Sequence, residues 1–395
     1  MSRIFVTGIG IISPLGNNLE ENHNALKTGT CGISNLELFK SKYSDVFPVG
    51  EIKLDDQTLK ETLIVDSKGI TRTTLLALHS FQQALEDSGL SARDLQSSET
   101  ALIGATTVGG ICMTDELYCD ANNLSQNSEN LGSYDMASVF LYLQSRYKIG
   151  GVINTINTAC SSSANSISYG ARLIQQGYAK RAIVGGVDSL AKFTLNGFNS
   201  LMILSQELCK PFDKDRTGLN LGEAAAFLVL EKEEDVQNKK VYAELKGFAN
   251  ANDAFHPSSL SDAGDGPYLS MQNALINGNL TPADIDFINA HGTGTENNDL
   301  AESNAMLRLF GKHIAFASTK SNTGHTLGAA AAIEAVYCIL NLQHQETYSN
   351  LRFKNPIPET GLLPVENYSK KTIKHVMSNS FGFGGNCSSL IFSSI

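Results

Sequence analysis

Residues 152–176 read VINTINTACSSSANSISYGARLIQQ. Val152–Thr158 has the β-branched, apolar character of a strand, Ala159–Ser163 is a tight loop of small residues, and Ala164–Gln176 carries apolar residues at helical spacing. A strand running through a short turn into a helix is the repeating unit of α/β proteins. Far downstream, Ile314–Ser318, Thr319–Thr326 and Leu327–Leu342 give the same succession of strand, small-residue loop and small-residue helix. The echo predicts two halves of one topology, with both loops pointing into one site.

Working outward, β-rich runs at Arg3–Thr7, Ala101–Ala105, Arg181–Val187, Ala226–Leu230, Asp286–Ala290 and His375–Ser380 alternate with helical segments. Thr74–Ser88 reads as a helix, with Leu75, Leu78, Phe81 and Leu85 on one face and Gly89 as its stop. The charged stretch Glu231–Lys240 is the best boundary. The expected units are therefore residues 1–238, carrying Cys160, and residues 239–395, carrying His291, Lys320 and His325.

Composition narrows the function. The chain has 395 residues, 42% apolar and 18% charged, so it is neither disordered nor short of core. No apolar run approaches the length of a membrane span, the nearest, Gly328–Leu340, being broken by Glu334. Met1–Gly16 reads as a strand rather than a signal peptide, and the expected location is the cytoplasm. Seven scattered cysteines without metal-ligand spacing imply reduced thiols. A net charge of -10 argues against nucleic acid or an anionic membrane as partner.

Four segments could carry chemistry. Cys160 stands at a strand-to-helix turn, where helix N–H groups favour a thiolate and can hold an oxyanion; the alternative is a buried packing cysteine. His291 ends a strand and enters Gly292-Thr293-Gly294-Thr295, a loop that offers hydroxyls and close approach; a plain loop histidine is the alternative. Beyond it, Asp299 and Glu302 fit a helix-capping box. Lys320 and His325 share a Ser/Thr/Gly loop before a helix. Phe381-Gly382-Phe383-Gly384-Gly385 is either a hairpin loop or a set of backbone donors beside aromatic gates. Gly8-Ile9-Gly10 lacks the third glycine of a dinucleotide site, Gly104–Gly110 lacks a P-loop lysine, and no His/Cys cluster has zinc spacing.

One cysteine with two histidines and a lysine on separate strand-end loops suits acyl transfer. Here the sequence closely resembles the elongating β-ketoacyl-ACP synthases, the type II fatty-acid and polyketide ketosynthases. The resemblance rests on Asn-Thr-Ala-Cys160-Ser-Ser-Ser, His291-Gly-Thr-Gly-Thr, Lys320-Ser-Asn-Thr-Gly-His325, Phe381-Gly-Phe-Gly-Gly and Gly218-Leu-Asn-Leu-Gly-Glu-Ala, in order along essentially the whole chain. It implies a thiolase fold, five-layered αβαβα and built of two similar halves, usually dimeric. It implies Cys160 as acyl-accepting nucleophile, His291 and His325 as promoters of malonyl decarboxylation, and Lys320 as supporting cation with Glu302 its partner. Phe383 would gate the nucleophile and join the Cys160 N–H in an oxyanion hole. Thr293 and Thr295 would meet the phosphopantetheine arm, Phe381, Gly382 and Gly384 would bind substrate, and Val108 would line the acyl pocket.

The resemblance further implies acyl-ACP and malonyl-ACP as partners, phosphopantetheine arriving on the carrier, and no metal or separately bound cofactor. Lys210 is the expected carrier contact, followed by Lys68 and Arg72; each is otherwise a solvated surface charge. The family's Thr-Asn after the glycine loop is here Asn386-Cys387, His291–Asp299 has a polyketide-like flavour, and the loop before Pro211 is short. These departures favour decarboxylating condensation in a specialised polyketide or polyene pathway, aryl-polyene-like, over housekeeping fatty-acid elongation. A non-catalytic chain-length-determining subunit is a third reading, opposed by the intact Cys160, His291 and His325. Either a homodimer or a heterodimer with such a paralogue is expected.

Overall fold

The structure is a computed structural model and describes residues 2–123, 128–236 and 239–395. Ten strands form one mixed sheet: β1 (Ile4–Ile12), β2 (Thr100–Ala105), β3 (Ile153–Ile156), β4 (Arg181–Asp188), β5 (Ala224–Lys232), β6 (Ala243–Asn252), β7 (Phe287–Asn289), β8 (Phe316–Ala317), β9 (His375–Phe381) and β10 (Asn386–Ser393). Their spatial order is β8-β7-β9-β10-β6-β1-β5-β4-β2-β3.

Split between β6 and β1, this order is the same topology twice. From the centre outward the first set runs β1-β5-β4-β2-β3 and the second β6-β10-β9-β7-β8, each strand of one corresponding to the strand five later. The pairing agrees as well: antiparallel for β1/β5, β5/β4, β6/β10 and β10/β9, parallel for β4/β2, β2/β3, β9/β7 and β7/β8. The sets join through two antiparallel residue pairs, Phe5 with Glu244 and Val6 with Ala243.

Helices complete a thiolase fold of five α/β layers. Helix α1 (Arg72–Ser88) starts where Thr71 accepts a hydrogen bond from the Thr74 N–H and stops at Gly89, whose φ of 65 is left-handed. Its Leu75, Leu78 and Phe81 cover the outer face of the first set against Phe227 and Val229. Between the two sets lie α2 (Ser162–Gln175) and, later in the chain, α5 (Ala330–His344), which bury Ile167, Ala171, Ala332 and Val336 in one cluster. Their small residues let them approach closely, and the Ala332 N–H donates to Ser163 Oγ at 2.9 Å. The last layer is α3 (Asp265–Gly278) and α4 (Glu296–Phe310), packed through Met271, Leu275 and Met306.

Two local expectations change. Helix α4 begins at Glu296 after Thr295, so Asp299 and Glu302 lie inside the helix rather than in a capping box. Residues Lys320–Thr323 form a short helix where a loop is expected. Among the described residues no helix is long and apolar enough to cross a membrane.

Candidate active site

The carboxyl ends of β3 and β7 face a cavity of about 530 Å³ that reaches Cys160, His291 and His325. Cys160 follows β3 and precedes α2. Ala159 holds a left-handed φ of 53, a conformation sparsely used outside glycine, and it turns the chain sharply before the cysteine. Glycine is required opposite: a Cβ on Gly382 would stand 2.6 Å from the Thr158 carbonyl oxygen and 3.1 Å from the Cys160 nitrogen. That close approach brings the Phe383 N–H to the Cys160 sulfur beside the cysteine's own N–H. Two backbone donors thus converge at the thiol.

Burial pushes the Cys160 thiol up to about 11; the Lys320 charge and the N–H groups of Phe383 and Cys160 oppose that rise. The thiolate favoured by a helix N-terminus is therefore not the resting form, because removal from water outweighs the nearby positive charge. The ligating atoms of Cys160, His291 and His325 lie within 4.8 Å of one another. Such a set could in principle ligate a metal, but the Lys320 cation next to His291 opposes a divalent ion there.

The two imidazoles are fixed in the same tautomer by different neighbours. Lys320 Nζ lies 3.3 Å from His291 Nδ1, and an ammonium can only donate, so Nδ1 accepts and Nε2 carries the proton. The Leu327 N–H donates to His325 Nδ1 at 3.2 Å, which again leaves the proton on Nε2. Nε2 of His325 is buried without a protein partner. Burial holds both histidines well below their ordinary value, and the Lys320 charge adds to it, with His325 contributing further at His291. Both are neutral N–H donors at neutral pH.

Carboxylates hold this arrangement in place, in a different pairing from the one expected. Lys320 bonds Glu334 Oε1 at 2.5 Å, both side chains being buried. Glu302 makes no ion pair with it. Instead Glu302 accepts from the N–H groups of His291 and Gly292 at 2.9 and 2.8 Å and from Asn379 at 3.2 Å. One turn earlier, Asp299 accepts from the N–H groups of Phe212 and Gly294. Residues three apart share a helix face, so α4 staples the whole His291–Gly294 loop. Arg216, from the segment before β5, donates to the carbonyls of Thr295 and Glu296 and lines the cavity.

Thr293 and Thr295 line the cavity with their hydroxyls 2.8 Å apart, and Phe381 and Gly382 also line it. Phe383 stands at the mouth, stacked on Phe198 with ring centroids 6.0 Å apart. Gly384 is not in the wall; its N–H donates to the Pro257 carbonyl. Val108 is not in the wall either. It packs in an apolar cluster that includes the wall residues Phe198, Ile203 and Leu219, and its N–H donates to Asp188 at 2.8 Å. Cys387 is buried against Leu260, Ala301 and Phe381.

The carrier-contact candidates separate. Arg72 is sealed inside, donating to Glu223, Asp56 and the carbonyls of Ile52 and Leu54, because the first turn of α1 packs on the segment leading into β5. It is a structural ion pair rather than a surface charge. Lys210 pairs with Glu207 at 2.7 Å, and Lys68 is 86% exposed beside Glu129. Sequence reading missed Glu334 and Arg216; the signal for Glu334 was a lone carboxylate in an otherwise apolar helix, which demands a buried partner.

The family model for the Beta-ketoacyl synthase N-terminal domain matches residues 1–236, and that for the Beta-ketoacyl synthase C-terminal domain matches residues 242–354. The chain therefore belongs to the β-ketoacyl synthase family, in its elongating β-ketoacyl-ACP synthase branch, and is an acyltransferase. It is 32% identical to a mitochondrial 3-oxoacyl-[acyl-carrier-protein] synthase of Arabidopsis thaliana over 100% of this chain and 93% of that protein. It is 32% identical to 3-oxoacyl-[acyl-carrier-protein] synthase 2 of Coxiella burnetii over 100% and 99%. Among solved structures, a ketosynthase in complex with its chain length factor from Xenorhabdus doucetiae aligns with TM-score 0.87 and 31% identity, covering 100% of this chain and 98% of that one. The ishigamide ketosynthase/chain length factor aligns with TM-score 0.93 and 27% identity, over 100% and 99%.

Proposed function

We propose that the chain catalyses decarboxylating condensation between an acyl group held on Cys160 and malonyl-ACP, giving β-ketoacyl-ACP. The observation that carries this reading is the pair of neutral imidazoles, both with Nε2–H, at the cavity that reaches the Cys160 thiol. A base-catalysed thiol activation would call for an imidazole free to accept; two donors suit a reaction in which negative charge builds on a thioester oxygen.

In the first half-reaction Cys160 sulfur attacks the carbonyl of an acyl thioester borne on phosphopantetheine. The N–H groups of Cys160 and Phe383 hold the oxyanion; the bond to the arm's sulfur breaks, and the thiol proton leaves with that sulfur. In the second, His291 and His325 donate to the carbonyl oxygen of the malonyl thioester. The bond to the carboxylate breaks, CO2 departs, and the enolate carbon attacks the acyl group on Cys160. Cys160 leaves as thiolate and takes a proton from water. Lys320, held by Glu334, keeps His291 in its donating tautomer; Glu302 positions the His291 loop. Thr293 and Thr295 bind the pantetheine arm, with Phe381 and Gly382 beside it, and the two units 1–238 and 239–395 each supply one side of the site.

The pathway we propose is a specialised polyketide or polyene one, aryl-polyene-like, in the cytoplasm. Its support is the overall match to ketosynthase/chain length factor structures together with Asn386-Cys387 after the glycine loop. Housekeeping fatty-acid elongation is the second reading, favoured by the relatives from Arabidopsis thaliana and Coxiella burnetii. Dimerisation would use β3, which ends the sheet and leaves Ile153 and Ile156 half-buried; a second copy or a paralogous subunit would cover it. The test is reconstitution with acyl-ACP and malonyl-ACP, following CO2 and the mass of the carrier product. A product longer by two carbons with one CO2 supports the reading; acyl exchange without CO2 overturns it.

A further inference from the structure

One side of the cavity mouth carries exposed apolar side chains, beside a polar side with Ser258 and Glu296. Met202, on the cavity wall, is 90% exposed and has φ 57, so a side chain with no packing partner is held outward by a strained backbone. Leu201 beside it is 46% exposed. Phe198 of the same segment stacks on Phe383. On the far side of Phe383, the Gly384 N–H donates to Pro257 and the Asp253 N–H donates to Gly385, which ties in the loop carrying Phe255, itself 64% exposed. Met202 and Phe383 line the opening, Leu201 adjoins Met202, and Phe255 stands on the loop tied to the Phe383 turn; exposed apolar side chains gathered by one opening signal a partner.

Charge supplies the second observation. Between Glu207 and Arg216, Glu207, Asp213 and Asp215 balance Lys210, Lys214 and Arg216. Arg72 is sealed in its ion pairs, and Lys68 faces a separate hollow beside Glu129. The chain as a whole carries -10. An acidic partner gains little from this mouth by charge.

We propose that the acyl carrier protein docks here through an apolar face around its phosphopantetheine arm, with Met202 as the central contact. The inference rests on the proposed function, since only a tethered thioester arm reaching Cys160 requires its protein to cover this opening. Apolar docking is insensitive to salt, whereas docking through a basic patch weakens as charges are screened.

The experiment measures loading of Cys160 by an octanoyl thioester, on the carrier protein and on free pantetheine, in wild type, Met202→Glu, Leu201→Glu and Met202→Asn. Asparagine tolerates the left-handed backbone and removes only the apolar contact. The ratio of the KM for the carrier-borne thioester to that for the free one is expected to rise about tenfold in each Met202 variant, the scale of a central interface residue. In wild type the carrier KM is expected to stay within about twofold from 50 to 500 mM NaCl, since few charges are screened. A strong salt dependence with unchanged ratios, and a raised carrier KM in Lys214→Glu, would overturn the proposal in favour of basic docking. Loading by neither thioester would refute the site reading itself, and the docking proposal with it.

Discussion

Lys320 Nζ lies 3.3 Å from His291 Nδ1, and this one contact decides what the imidazole can do. Because the ammonium only donates, the histidine proton sits on Nε2, and because the ring is buried with a positive charge beside it, it stays neutral. His325 reaches the same state through a backbone N–H. The site is therefore built to donate two neutral hydrogen bonds rather than to remove a proton.

His325→Ala separates the two half-reactions. The variant is expected to load an acyl group on Cys160 at near the wild-type rate while malonyl decarboxylation falls about 10²–10³-fold, the usual cost of one lost oxyanion donor. Rapid-quench measurement of acyl-enzyme and of CO2 checks this. Equal loss of both steps would place His325 in nucleophile activation instead.

The Lys320–Glu334 pair is buried on both sides, so removing one member strands the other. Lys320→Met is expected to lower stability by about 3–5 kcal/mol, and Lys320→Met with Glu334→Leu to recover most of that loss. Urea unfolding of both variants measures it. Condensation stays low in both, because neither holds the His291 tautomer.

Much of this was legible beforehand. Cys160 and His291 could be singled out because each sits just past a strand in a run of small residues, and His325 because it shares a Ser/Thr/Gly stretch with Lys320 before a helix, patterns local to the sequence. The topological echo was legible for the same reason. What was not legible is which carboxylate meets which cation. Lys320 meets Glu334 rather than Glu302 because α5 passes between the two strand sets, whereas α4 packs on the outer side and turns Glu302 toward backbone N–H groups. Arg72 looks exposed in sequence, and only the placement of Glu223, 151 residues away, buries it.

Glu302 gives a pH signature. Burial raises its carboxyl from the ordinary 4.5 to about 7, against the N–H groups of Gly292 and His291. Between those values the folded protein binds more protons than the unfolded chain, so the contribution of this group to stability falls as pH rises. Glu302→Gln does not titrate there. The stability advantage of wild type over Glu302→Gln is therefore expected to shrink from pH 4.5 to 7, by at most about 3 kcal/mol. Denaturant titrations at both pH values test it; a widening gap would contradict the assigned burial.

The thiol pushed up to about 11 predicts slow alkylation of Cys160 by iodoacetamide at neutral pH. Its rate should climb about tenfold per pH unit up to pH 10, following the thiolate fraction. A plateau below pH 8 would show a resting thiolate.

The central claim is that Cys160 accepts an acyl group from a carrier, and intact mass tests it most directly. Wild type and Cys160→Ala would be exposed to a panel of saturated, polyunsaturated and aryl-primed acyl-ACPs. The account predicts a single acyl adduct on wild type, none on Cys160→Ala, and unchanged folding of that variant. An adduct of the same mass and yield on Cys160→Ala would contradict it.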